Sequence, residues 1–324
     1  MTLLREAGDD FRGAIDQTSK SLGLAPLFVE KDYWVTQVLR ALHQRYPGSF
    51  VFKGGTSLSK GYGLIDRFSE DVDVLVTPSS GDSAAKREKL LKDMTENVAA
   101  TLDVRWDPAR DPGRGKFPHR ADIIAYPRTV TGSVSVPVED RGVLLETGYA
   151  GGEWPAEMVT VTPLLTTALG LNEGEYADTD GFRLRALNPA RTLLEKLALL
   201  HHIASGWAPD GPLADQRCGR HYYDVWCLLD YAPTRTVLAD RKQFEQILGD
   251  MQHISATHYG GWTDRPEDGF AASPAFFAAT GTDLRTWLEG RYRDASELMP
   301  SRTKGNWPTF GKVLRRIEHR ATLL

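Results

Sequence analysis

The stretch FKGGTSLSKGYGLIDRFSEDVDVLV, from Phe52 to Val76, constrains the chain more than any other. It joins a strand-like entry to a Gly-Gly turn rich in hydroxyls, then returns on a second strand carrying Asp71-x-Asp73. Residues two apart on a strand point to the same side. Asp71 and Asp73 therefore project together, while Val72 and Val74 face a core. Two carboxylates beside a backbone-rich turn suit Mg²⁺ and a triphosphate, because Mg²⁺ takes one or two carboxylates plus phosphate oxygens. N–H groups at a turn and helix start supply the complementary phosphate cradle. Gly54 and Gly55 allow backbone to approach a phosphate closely. Thr56 and Ser57 add hydroxyls and N–H groups at the helix start. The plainer alternative is an ordinary tight turn followed by an exposed acidic pair. GGTSLSKG lacks the G-x-x-x-x-G-K-[ST] spacing, which argues against a P-loop ATPase. Ser69 reads as support for the turn, and Arg67 as an orienting group or a phosphate contact.

Hydrophobic spacing predicts helices over 11–21 and 29–42, a strand over 49–53, a short helix over 56–63 and the acidic strand over 67–76. A charged helix over 83–100 and a loop over 104–118 come next, then strands over 121–126, 132–138 and 142–149. A mixed sheet with flanking helices thus fills about 49–150, an irregular segment fills 151–181, and a short strand covers 182–187. From Asn188 the pattern turns helical, with Asn188 as cap and Pro189 in the first turn. Further helices are expected over 217–231, 235–252, 283–297 and 307–319.

Bulk properties exclude several classes. The chain has 324 residues and a formal net charge of −4, so it has no overall basic footprint for nucleic acid, and any such contact needs a local patch. Cys218 and Cys227 are the only cysteines, and their spacing fits neither a zinc site nor a disulfide framework. No apolar run approaches membrane length, and the acidic start lacks a signal core, so a cytoplasmic protein is expected. Two basic patches stand out: Lys312, Arg315, Arg316, His319 and Arg320 at helical spacing, and the 110–120 loop with Arg114, Lys116, His119 and Arg120. The helical stripe reads equally as a solvated face or an RNA phosphate contact, and the loop is a second place for nucleic-acid contact. His201 and His202 are adjacent, point to different helix faces and form no metal pair.

The Phe52–Val76 stretch resembles the nucleotidyltransferase signature of a Gly-Gly/Ser turn, a short helix and D-x-D on the next strand. With FVEKDYWVTQVLRAL (Phe28 to Leu42), NPARTLLEKLALLHH (Asn188 to His202) and RHYYDVWCLL (Arg220 to Leu229), it makes the chain similar to the AbiEii/MenT family of bacterial nucleotidyltransferase toxins. These segments lie in roughly the first two thirds of the chain. The resemblance implies an α/β fold: a nucleotidyltransferase-like mixed sheet with flanking helices in 1–187, followed by a mainly α-helical part, 188–324, closing the active-site cleft. It implies Mg²⁺-dependent transfer of NMP from an NTP to an acceptor, RNA and above all a tRNA 3′ end, blocking translation and growth. A cognate antitoxin encoded nearby is the implied partner. The rival from another class is a nucleotide- or RNA-binding module on the same fold with little or no turnover; intact glycines and aspartates count against it.

Site roles follow from the same resemblance. Asp71 and Asp73 hold the metal; Gly54, Gly55, Thr56 and Ser57 hold the nucleotide. Lys196, in the otherwise apolar LLEKLALL, faces the phosphates; a snorkelling surface lysine is the alternative. Asp224 belongs to the active site, where it orients Lys196 or holds the nucleotide; an ion pair with Arg217 or Arg220 is the alternative. Nucleotidyltransferase folds commonly carry a third acid on a neighbouring strand, and Glu146 in VLLETGY takes that place, with Asp122 as rival. Glu30–Trp34 reads as packing beneath the site.

Overall fold

The computed structural model describes residues 2–69, 71–77, 81–108, 117–131, 141–213, 218–259, 263–299 and 304–324. They form two compact units, one from Met1–Leu187 and the other from Asn188–Met299 with Thr303–Leu324. The strand expected over 132–138 lies outside the described residues, as do Arg114, Lys116 and Arg217.

The first unit is built on one seven-stranded sheet. Its strands are β1 (Phe50–Lys53), β2 (Val72–Val76), β3 (Arg105–Pro108), β4 (His119–Ala125), β5 (Val143–Gly148), β6 (Ala156–Val161) and β7 (Phe182–Leu187), in the order β3-β4-β5-β2-β1-β7-β6. β2–β5 and β1–β7 pair in parallel and the rest antiparallel, so the sheet is mixed. Strand alternation sends one set of side chains into a single large core: Phe50, Phe52, Val72, Val74, Val76, Ile124, Val143, Leu145, Leu184 and Ala186. That face is covered by α1 (Asp9–Leu22), α2 (Pro26–Arg45), α4 (Ala84–Leu102) and α5 (Leu164–Leu169), which supply Phe11, Tyr33, Val38, Met94 and Leu165. On the other face, two small apolar clusters are buried among the described residues: Val51, Leu75 and Leu187, and Ala121, Ile123 and Leu144. Between β1 and β2 lies α3, a helix that starts at Gly54–Thr56 and widens to π geometry over Ser57–Gly61. Single turns of this kind occur often at functional sites.

Three expectations need correction. The 151–181 segment is not irregular: it holds β6 and α5, so the sheet extends to Leu187 instead of ending near 150. β3 lies inside the expected 104–118 loop; its residues are mostly exposed, so it carries no apolar signal. The helix expected over 235–252 is two helices, α8 (Ala232–Ala239) and α9 (Arg241–His258). Asp240 breaks them with an extended backbone, and its carboxylate accepts from the N–H groups of Lys242 and Gln243.

The GluLysAspTyrTrp segment is buried throughout and ties distant chain to α2, as expected of packing. Glu30 accepts the N–H groups of Thr129 and Val130. Asp32 accepts from Lys60 Nζ at 2.5 Å and from the Leu164 N–H at 2.8 Å. Tyr33 donates to Asp178, which also accepts the N–H groups of Leu4 and Arg5. Burial raises the Glu30 carboxyl above its ordinary value against the lowering effect of its two backbone donors.

The second unit is helical: α6 (Pro189–Ser205), α7 (Gly219–Asp230), α8, α9, α10 (Pro274–Phe277), α11 (Asp283–Ala295) and α12 (Phe310–His319). Asn188 caps α6 by accepting the Ala190 N–H, with Pro189 at the first position. Tyr222 of α7 sits at the centre, its ring edge-on to Phe276, Tyr292 and Phe310 and its hydroxyl donating to the Ala275 carbonyl. Gly219 admits α11: a Cβ there would fall 1.9 Å from the Arg291 carbonyl oxygen.

Candidate active site

The second sheet face brings the sequence-predicted carboxylates together in part. Asp73 on β2 is the register partner of Glu146 on β5 and of Lys53 on β1. Register partners share a face, so a basic and two acidic side chains stand in a row across three strands. All three line a cavity of about 240 Å³ that also takes in Leu75, His119 and Gly148. Asp71 lies just ahead of β2 and is half-buried. Asp122 is turned the other way. It shares the face of Ile124, is 1% exposed, and accepts from Thr95 of α4 at 2.7 Å and from Arg120. Glu146 is therefore the acid that shares the cavity with Asp73, and the rival carboxylate serves packing of α4.

The glycine turn abuts Asp73 directly. Gly54 has φ of +77°, and a Cβ there would lie 2.1 Å from the Asp73 carboxylate. Left-handed backbone and this close approach both demand glycine. At Gly55 a Cβ would meet the Arg67 guanidinium at 2.6 Å and the Ser69 hydroxyl at 2.8 Å. Arg67 is buried and donates to the Phe68 carbonyl, so it braces the return loop. Thr56 donates its hydroxyl to Ser69, and Ser57 donates to the Gly54 carbonyl. Those hydroxyl protons shape the turn; what the turn offers an anion is its first helical N–H groups, which lack intrahelical acceptors. Lys60, at the far end of α3, forms its buried pair with Asp32 and so holds the helix against α2.

In the helical unit, Lys196 and Asp224 form a buried ion pair of 2.8 Å. Lys196 is thus neither a surface lysine nor free of its expected partner. His221, one turn before Asp224 on α7, places Nδ1 3.2 Å from Lys196 Nζ and 4.0 Å from the Asp224 carboxylate. The cationic stripe on α12 is narrower than its spacing suggests. Arg316 stacks on Trp226 at 3.9 Å and pairs with Asp230, leaving Lys312, Arg315 and His319 exposed.

Lys53, His119 as a cavity residue and His221 were missed by sequence reasoning. Lys53 precedes the glycine turn and His221 lies three residues before Asp224, so both had a positional signal. His119 had none, because only the register brings it to the cavity.

Asp73 and Glu146 thus stand in register on one sheet face, with the glycine turn packed against Asp73. Residues 37–280 match the family described as nucleotidyl transferase AbiEii toxin of type IV toxin–antitoxin systems. The chain belongs to that family. A solved structure of MenT4, a nucleotidyltransferase toxin from Mycobacterium tuberculosis H37Rv, aligns with 17% identity and a TM-score of 0.46 over 96% of this chain and 98% of that one. No curated protein matches the sequence. Among the described residues, no helix is long and apolar enough to cross a membrane.

Proposed function

We propose that this toxin uses Mg²⁺ to transfer a nucleoside monophosphate from an NTP to the 3′ end of RNA, with tRNA as the acceptor, blocking translation and growth. The observation that carries the reading is the register pairing of Asp73 with Glu146 over a cavity bounded by Lys53, with Gly54 packed against the Asp73 carboxylate. Asp73 with its neighbour Asp71 offers the kind of donor set the ion takes, since Mg²⁺ prefers one or two carboxylates with phosphate and water completing its shell. Asp71 and Asp73 would hold it, and when bound it neutralises phosphate charge and favours the attacking alkoxide.

The chain's own residues then divide the work. N–H groups of Gly54, Gly55, Thr56 and Ser57 bind phosphate oxygens. Glu146 accepts the proton of the attacking 3′-hydroxyl as its oxygen bonds the α-phosphorus. The bond from the α-phosphorus to its bridging oxygen breaks, and pyrophosphate leaves. Lys196, paired with Asp224, would supply positive charge to a phosphate oxygen. Such catalysis is mostly positioning and electrostatic stabilisation. The partner expected of a type IV system is a cognate antitoxin encoded nearby, and an RNA acceptor implies a cytoplasmic site of action.

Incubation with Mg²⁺, each labelled NTP in turn and total bacterial RNA tests the reading. Label should enter small RNA from one preferred NTP, and periodate oxidation of the RNA 3′ end should abolish it. Label on periodate-treated RNA or on the protein itself would overturn the assignment of the 3′-hydroxyl.

A further inference from the structure

The cavity over the Asp73 face of the sheet has two rows of side chains, and the proposed chemistry uses one. Lys53, Asp73 and Glu146 make the first. One step along the strands, Leu75 pairs with Gly148 and Gly148 with His119. All six line the cavity. The first row is charged and suits phosphate and metal. The second is apolar at Leu75, bare at Gly148 and aromatic at His119. Gly148 is bare for a steric reason: a Cβ there would lie 2.6 Å from His119 Nδ1 and 3.2 Å from the Pro118 carbonyl oxygen. The imidazole therefore lies over β5, in space that any other residue at 148 would fill. Arg120, the next residue on β4, also lines the cavity, but its guanidinium is bonded to Asp122.

A volume of about 240 Å³ falls below the roughly 300–1,000 Å³ of pockets that enclose a drug-sized ligand. The cavity thus fits part of a nucleotide rather than a nucleic-acid duplex. An imidazole ring seated over a glycine, beside an apolar side chain, suits an unstacked nucleoside. Bases stack on aromatic side chains, histidine included, and their edges take hydrogen bonds. From this arrangement we infer that Leu75, Gly148 and His119 form a nucleoside subsite in which His119 contacts the base. The inference rests on the proposed function only in taking the ligand to be a nucleotide. That nucleoside belongs either to the incoming NTP or to the acceptor's 3′-terminal nucleotide.

Equilibrium binding separates the two sources. Wild type, His119→Ala, His119→Phe and Gly148→Ala are compared for each NTP, for inorganic triphosphate and for short RNAs ending in each of the four nucleotides. Removal of the ring should weaken either NTP or RNA binding by roughly tenfold, within the range of base–aromatic stacking. Gly148→Ala, which displaces the ring, should do the same, and His119→Phe should restore much of the loss. Affinity for inorganic triphosphate should not change. Weakening confined to NTP assigns the subsite to the incoming nucleotide; weakening confined to RNA assigns it to the acceptor. Unchanged affinity for both, equal weakening toward inorganic triphosphate, or a wild type that binds neither would overturn the inference. Binding is read without turnover, so a protein that binds nucleotide here and transfers none would defeat the proposed function and uphold the subsite.

Discussion

Gly54 carries two constraints at one position, a φ of +77° and contact with the Asp73 carboxylate. Alanine there should cost about 1–2 kcal/mol of stability from the left-handed backbone. It should also push Asp73 aside and slow transfer on the order of a hundredfold, the scale of a 1 Å misplacement. Denaturation and initial-rate measurements on the same variant check both. The motif made Asp73 and the glycines legible because their chemistry is local: a turn, a strand and a spacing of two. The choice between Glu146 and Asp122 was not local. Both are acids on adjacent strands, and only the pairing of Asp73 with Glu146, and of Asp122 with Thr95 on α4, separates them. His119 was hidden for the same reason.

Among the elements, α3 depends on α2. Lys60 and Asp32 pair with side chains 5% and 8% exposed, and Asp32 also holds the start of α5 through the Leu164 N–H. Asp32→Ala leaves a buried ammonium uncompensated and should destabilise the first unit by about 3–5 kcal/mol, measured by urea unfolding. In the second unit, His201 of α6 is bonded through Nδ1 to Ser273 and through Nε2 to the Asp264 carbonyl. Burial lowers its pKa from 6.5. The native state therefore resists a proton that the unfolded chain accepts. This contribution to stability is full above about 6.5 and is lost as pH falls through the lowered native value. Thermal melting of wild type should weaken across that window, and His201→Gln should flatten the slope; an equal slope in the variant would remove His201 as the cause. Strong periodic helices such as α2 and α6 were readable from the sequence. β3 and the break at Asp240 were not, since an exposed edge strand shows no apolar alternation and a capping aspartate interrupts no apolar spacing.

At the scale of the whole molecule, the chain is a nucleotidyltransferase toxin of the AbiEii family, with a mixed sheet in one unit and the Lys196–Asp224 pair in the other. The class was legible in four short segments, three of which lie wholly within the matched residues 37–280. The full extent of the sheet was not: the strand over 182–187 was readable, but β6 lies inside the stretch without clear periodicity, and only the pairing joins both to the sheet. The central claim is that Asp73 and Glu146, in register on adjacent strands, carry nucleotidyl transfer. Its most direct test is single-turnover transfer from the preferred labelled NTP to RNA by wild type, Asp73→Asn and Glu146→Gln, each with Mg²⁺ and with a chelator. Transfer by wild type that stops on chelation, and falls at least roughly a hundredfold in each folded variant, is the predicted result. Either folded variant working at the wild-type rate, or transfer that survives chelation, would contradict the account.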